Sequence, residues 1–361
     1  MPKNKKKYIA LLLIPQVFLV KLLSLFPDFI EHYYSLGLYP YISNILRFML
    51  GWLPFSFGDI VYALSTIYII RWFIINRRRF RKDTKGWLTD VFAALSVIYF
   101  AFHFFWGLNY HRLPLHKNLQ LNSDYTQEQL VSVTNNLIEK TNAIHLKITK
   151  NDTIKVTIPY KELEIFKMVP TGYHNLRTSF PHLDYTTKSI KKSLYSFPLT
   201  YMGFSGYLNP LTNEAQVDGM IPIFKYPTTA SHEVAHQLGY AAENEANFIG
   251  CLAAINHDDI FFNYAGYTFA LRFCLNEIYF RDPCLYEDMV ADVNEGILKN
   301  YQEVREFWEA HENPAEPYFK LFYGNFLKVN KQSKGMESYS YVVALITNYF
   351  DENSSSKVKK I

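Results

Sequence analysis

His232-Glu233-Val234-Ala235-His236, followed by Glu243-Asn244-Glu245-Ala246-Asn247, is the stretch on which the reading of the chain turns. On a helix, residues four apart share one face. His232 and His236 can therefore turn their imidazoles toward one metal ion, and Glu233, one residue round, can reach a water held by that ion. Two neutral imidazoles, an open coordination position and a carboxylate to take the water's proton are what zinc-dependent hydrolysis requires. The flanking residues suit helices. Tyr226-Pro227-Thr228-Thr229-Ala230-Ser231 supplies a breaker and then capping side chains. Val234, Ala235 and Leu238 suit an internal face, and Gly239 is a stop, because glycine tolerates the left-handed conformation that ends many helices. A second helix is predicted over residues 242–255, with Ala246, Phe248, Ile249, Leu252 and Ala253 as its buried side. The resulting helix–turn–helix can return a carboxylate to the two histidines as a third protein ligand. The plainer reading, a buried helix that happens to carry two histidines, leaves the glutamates that follow unexplained.

Two glutamates compete for that role. A third histidine six residues after His236 would mark a metzincin, but position 242 is alanine, which excludes that class. Glu243 and Glu245 remain, and two residues apart on a helix they point in different directions. Glu243-x-x-Ala246-Asn247 resembles the E-x-x-[AS]-[DN] signature of gluzincins. The resemblance implies that Glu243 is the third zinc ligand and that Asn247 steadies a ligand histidine from behind. Glu245 is then left with a supporting or substrate-contacting role.

The rest of the chain bounds the setting. Its 361 residues leave room for one or two domains with a proper core. The net charge of +4 is small, and most basic residues of the first third fall in two clusters, residues 3–7 and 77–85. Each cluster abuts an apolar run, so membrane topology explains them and a nucleic-acid partner is not expected. Three runs read as transmembrane helices: residues 8–26, with Lys21 near the far end, residues 55–75 and residues 91–108. The first lacks a small-x-small cleavage site and reads as an uncleaved signal anchor. The basic clusters place the N-terminus and the second-to-third connection in the cytoplasm, and the loop 27–54 has only Arg47 among Lys and Arg. Three spans that start inside end outside, so everything after Asn109 is expected to be extracytoplasmic. The segment 39–53, apolar and aromatic, is expected at the outer membrane interface. Few intramembrane charges and no internal repeat argue against a transporter.

The fold expected is therefore mainly α. Residues 1–109 form a membrane domain of three helices, residues 110–352 a mostly helical zincin-like domain with a small β-hairpin, and residues 353–361 a disordered tail. Helices are predicted over 126–142, 160–169 (ended by Pro170), 260–280, 286–311, 317–329 and 338–350. Strands are predicted at 199–203 and 214–218, with a turn at 209–213 between them. Thermolysin-like peptidases carry a strand in the corresponding place that holds an extended substrate, which is a likeness of fold alone. Cys274 and Cys284 could pair in an oxidising compartment, while Cys251 reads as a packed thiol. An oxyanion donor is also needed. His257, Tyr264, Tyr267 and Tyr339 are eligible, and the sequence does not choose among them. His111, His116, His145, His174, His182 and His311 lack motif context.

With these motifs placed, the chain resembles an uncharacterised family of bacterial membrane proteins defined as a domain of unknown function. Three stretches besides the site carry the likeness: Leu53-Pro54-Phe55-Ser56-Phe57-Gly58-Asp59, Trp106-Gly107-Leu108-Asn109-Tyr110-His111-Arg112, and residues 203–218. The family's run H-E-x-A-H-Q-x-G followed by E-x-E-A-N is matched by residues 232–239 and 243–247. The E-x-x-A-N run is also similar to the E-x-x-A-D of CAAX-processing membrane proteases, from which Asn247 departs. The resemblance implies a zinc-dependent, membrane-anchored metallopeptidase of the bacterial cytoplasmic membrane that acts on an extracytoplasmic peptide or protein. The alternative is a non-catalytic zinc-binding receptor or assembly factor.

Overall fold

The computed structural model describes residues 3–330 and 339–351; the tail expected at 353–361 lies outside them. The chain is mainly helical with one small sheet, as its periodicity predicts. Two helices are long and apolar enough to cross a bilayer, α3 (Phe57–Asn76) and α4 (Thr84–Phe105). Each opens on a side-chain cap: Ser56 accepts from the Asp59 amide and Asp83 from that of Gly86.

The expectation of three spans is corrected to two. The first helix, α1 (Lys3–Leu23), runs beside α4, with Lys6 Nζ 2.7 Å from Asp90 Oδ1. Only residues 8–20 separate Lys7 from Lys21, about 20 Å of helix against a hydrocarbon core of about 30 Å. After Leu23 the axis turns through 97° into a helical segment ending at Leu50, and α1 reaches spanning length only when joined to it as one bent pair.

That bent segment contains α2 (Tyr39–Leu50), which has two unlike faces. On the inner face the Tyr39 hydroxyl donates to Gln237 O at 2.9 Å, Ser43 Oγ to Asn213 Oδ1 at 2.9 Å, and Arg47 Nη1 to Thr187 O at 2.8 Å. The outer face exposes Tyr41, Ile45 and Phe48, with Trp52 just beyond, as an interfacial helix would. Ahead of α2, Glu31 is buried in an ion pair with Arg112, Nη2 to Oε1 2.6 Å and Nε to Oε2 2.9 Å. Arg112 also donates to Gly239 O at 3.0 Å and lies 4.0 Å from the Tyr240 ring centroid. The membrane-side segment is thereby fastened to the chain just beyond His236.

The sheet has the order β1-β3-β2, with β1 (Ile190–Lys192) parallel to β3 (Glu214–Val217) and β2 (Gly206–Asn209) antiparallel to it. The hairpin and its turn fall where predicted, but its first strand does not. Residues 199–201 end a short helix, Ser196–Tyr201, which a turn at 202–203 closes with Gly203 at φ +78°, and the strand starts at Gly206. Their β-prone side chains lose to that helix, in which Thr200 Oγ1 donates to Ser196 O at 3.0 Å. Strand β1 was not expected. Glu214 of β3 accepts from the Phe57 and Gly58 amides, 3.1 and 2.6 Å, and so tethers the first turn of span α3.

One core is enclosed by α5 (Gln127–Thr149), α6 (Glu162–Leu176), α7 (Tyr226–Gln237), α8 (Glu243–Ile255), α9 (Ile260–Arg281), α10 (Pro283–Ala291), α11 (Glu295–Glu309) and α13 (Tyr339–Phe350), while α12 (Glu316–Val329) lies outside it. Pro170 does not end α6. Its ring removes one hydrogen bond, at a cost of about 3 kcal/mol, but Ile165, Phe166, Val169, Tyr173 and Leu176 continue a buried face through it. Burying five such side chains is worth about 1.5–3 kcal/mol each. The helix predicted over 286–311 is two, broken at residues 292–294, where the Asn294 amide is held by Asn142 Oδ1 at 3.0 Å. Cys274 is buried, Cys284 is exposed and both are free, so the disulfide considered for them is not formed.

Candidate metal centre

Helices α7 and α8 build the site, and two glycines make their packing possible. Gly239, at φ +89°, ends α7, its amide on His236 O at 3.0 Å, while Tyr240 N reaches Ala235 O at 3.1 Å. Gly250 lets α8 cross α7 backbone to backbone: a Cβ there would stand 2.7 Å from His232 N and 2.9 Å from its Cα. The turn and the crossing bring Glu243, the first residue of α8, over the histidine face of α7. His232 Nε2 and His236 Nε2 lie 3.3 and 3.7 Å from the two oxygens of the Glu243 carboxylate. One ligand atom from each of the three residues falls within 4.8 Å of the others.

The second glutamate goes elsewhere. Glu245 turns away from the histidines, and its Oε1 accepts from the Leu115 amide at 2.7 Å, at the start of a short helix after the spans. Burial pushes its carboxyl up to about 7. Among the two candidates, Glu243 therefore has the position of a ligand and Glu245 that of a structural acceptor.

Donor chemistry fits a divalent cation of the zinc type. His236 Nδ1 lies 2.7 Å from Tyr240 O, and a carbonyl can only accept, so Nδ1 carries a proton and Nε2 is the nitrogen turned toward Glu243. Asn247 is beside His232 and raises its basicity, although His232 Nδ1 is buried with no hydrogen bond of good geometry. Burial opposes charge on both histidines. It lowers His232, whereas the adjoining Glu243 carboxylate overcomes it at His236 and raises that ring to about 9. Burial alone would raise Glu243, but the charge of His236 and hydrogen bonds from both rings hold it well below the usual carboxylate range. In this state a proton does part of the work a cation would do between the same atoms.

Glu233 sits alongside with its carboxylate 3% exposed and Oε2 lacking any hydrogen-bond partner. Burial, then the opposing pull of His236 and the repulsion of Glu243, leaves its carboxyl raised to about 8. Burial thus favours the neutral carboxyl at Glu233 as long as no cation stands beside it. The first residue of β2 must be small to admit it: a Cβ at Gly206 would lie 2.7 Å from Glu233 Oε1.

Two elements that sequence reasoning did not connect to the site complete it. Trp106, immediately after α4, donates Nε1–H to His236 O at 3.1 Å and packs edge-on against the His236 ring at 6.1 Å. From α12, the Tyr323 hydroxyl donates to Glu243 Oε1 at 2.6 Å, its ring against Phe204 at 5.2 Å. Tyr323 and Tyr110 are both pushed up by burial and by the charge of Glu243. The oxyanion candidates named from the sequence are placed otherwise. His257 Nε2 is held by Met168 O at 3.0 Å, Tyr264 OH by Asn300 at 2.9 Å, and Tyr267 packs against the core. The side chain of Tyr339 lies outside the described residues. A signal for Tyr323 existed in the aromatics of residues 318–326, which recur on more than one face of a helix and so cannot all serve a single core.

Residues 34–347 match the family described as "Protein of unknown function (DUF3810)", and the chain belongs to that family. No curated protein and no solved structure matches it.

Proposed function

We propose that this member of the family is a membrane-anchored, zinc-dependent metallopeptidase that hydrolyses peptide bonds of an extracytoplasmic peptide or protein. The observation that carries the reading is the convergence of His232, His236 and Glu243 beside an unpartnered, buried Glu233. Zinc held by the three residues would supply the Lewis acid that polarises a carbonyl and acidifies water. Glu233 takes the proton of the attacking water and later passes it to the leaving amine. With Glu243 engaged by such an ion, the Tyr323 hydroxyl would be free to donate to the developing oxyanion. Strand β2 lies on the outside of the sheet with Gly206 against Glu233, which suits an extended peptide laid along it. A structural zinc site would have a fourth protein ligand. Among the described residues, no fourth ligand joins the cluster, which favours the enzyme over a receptor or assembly factor.

The purified full-length protein is expected to hold about one zinc per chain, as a single three-ligand site would. Elemental analysis that finds no metal after zinc-supplemented purification defeats the proposal. Tyr323→Phe should keep zinc and lower kcat by about 10²-fold, the usual effect of losing one oxyanion donor. Loss of zinc with kcat restored on resaturation would instead make Tyr323 a prop for Glu243.

The flanking charges support a bacterial cytoplasmic membrane setting with the metal-bearing domain outside. Two spans joined by the basic connection 77–85 on the cytoplasmic side return the chain to the outside at Asn109, which agrees with this. A reporter active only outside the cytoplasm should work when fused after Asn109 and fail when fused after Lys82. The reverse pattern would put the domain in the cytoplasm.

A further inference from the structure

The end of span α4 and the metal helix share a hydrogen bond, which fixes the depth of the site. Trp106 is the first residue beyond α4, and its indole N–H is on the backbone carbonyl of His236. One turn earlier, Phe102 lies 6.0 Å from Phe326 of α12. One turn before Phe326 on α12 is Tyr323, whose hydroxyl is on Glu243. Helix α12 therefore lies level with the last turn of a membrane span while touching the metal cluster.

Its other face is bare and mostly apolar, with Asn325 and Lys328 as its polar residues. Tyr318 and Phe322 are each 75% exposed, and Leu321 and Val329 are exposed with them. The bare faces recur at the same level. Phe48 and Trp52 lie at the end of α2, whose opposite face is bound to the domain. Leu194 is exposed too, its amide on Asp59 in the first turn of span α3 at 2.7 Å. Exposed apolar groups at the ends of two spans are continuous with the surface the spans themselves offer to lipid.

We infer that α12 is seated in the lipid at the membrane surface as the floor of the metal centre, and that the site takes peptide bonds lying within a few residues of a substrate's own membrane anchor. The second half rests on the peptidase reading; the first does not. The occupant of the bare face of α12 is the bilayer, because the contact of Phe326 with Phe102 leaves that face no other depth.

Two measurements on the full-length, zinc-loaded protein in phosphatidylcholine–phosphatidylglycerol vesicles test this. With the exposed Cys284 replaced by serine, a fluorophore on Phe322→Cys should be quenched by lipids brominated near the headgroup and shielded from iodide in the water. Iodide quenching without bromolipid quenching overturns the seating of α12. For the substrate class, one cleavable peptide sequence is presented free, or joined to a transmembrane anchor through spacers of about 4 or 25 residues, reaching at most about 14 or 90 Å. Both anchored forms are equally concentrated on the vesicle, so the long one controls for simple co-localisation. The short-spacer substrate should be cleaved at least as fast as the long one and at least about tenfold faster than the free peptide. Cleavage of the long-spacer substrate alone, or equal rates for free and anchored peptide, overturns the proposed class. Failure to cleave any of the three defeats the peptidase reading and leaves the fluorescence result to stand by itself.

Discussion

Glu233→Gln is expected to leave zinc content unchanged and to lower hydrolysis by about 10²–10⁴-fold, the range a positioned general base contributes. The substitution suits this site closely. Glu233 makes no hydrogen bond through Oε2 and is enclosed by the strand start at Gly206, so an isosteric amide fits the same space. What it removes is the lone acceptor able to take a full proton. His236→Ala is expected to behave differently and lose metal and activity together, because it removes a ligand. Comparing the two by metal analysis and turnover on the same preparation separates proton transfer from metal retention. Full turnover by the glutamine variant would show that another group activates the water.

The second large effect divides the two glutamates. Glu243→Ala should reduce zinc affinity sharply, since two histidines alone hold the ion poorly. Glu245→Ala should retain zinc and lose stability, because the Leu115 amide that Glu245 accepts from would be left buried without a partner. An unsatisfied buried donor costs about 1–3 kcal/mol, which should be visible as a lower melting temperature. Competition with a chromogenic chelator measures the first effect and thermal denaturation the second. Zinc released from the Glu245 variant and retained by the Glu243 variant would reverse the assignment.

The site was legible because its information is local. A four-residue spacing on a helix, a glycine stop and a carboxylate at the start of the next helix fix relative positions within about twenty residues, and the structure sets His232, His236 and Glu243 as that spacing requires. The choice between Glu243 and Glu245 rested on a resemblance, and only the turn at Gly239 and the pull of Leu115 on Glu245 supply a physical reason for it. The aromatics around Tyr323 signalled a second role for their helix, but nothing within that helix says which of its faces meets a residue 80 positions away. The failures in the fold have similar roots. An apolar run such as residues 8–26 gives hydrophobicity but not where its helix stops, and α1 ends at Leu23. Pro170 and residues 199–203 obey local propensity in isolation and tertiary packing in the molecule.

The crossing of α8 over α7 at Gly250 sets a tolerance for the whole centre. Side chains that support a ligand can hop between rotamers and absorb a neighbour's change, but two backbones in contact have no such slack. The positions of His232 and Glu243 are therefore gauged against each other by the thickness of the chain itself, a ruler that no rotamer can lengthen. The residue with the least chemistry in this neighbourhood, one with no side chain at all, is thus the one at which the site can least accommodate a substitution.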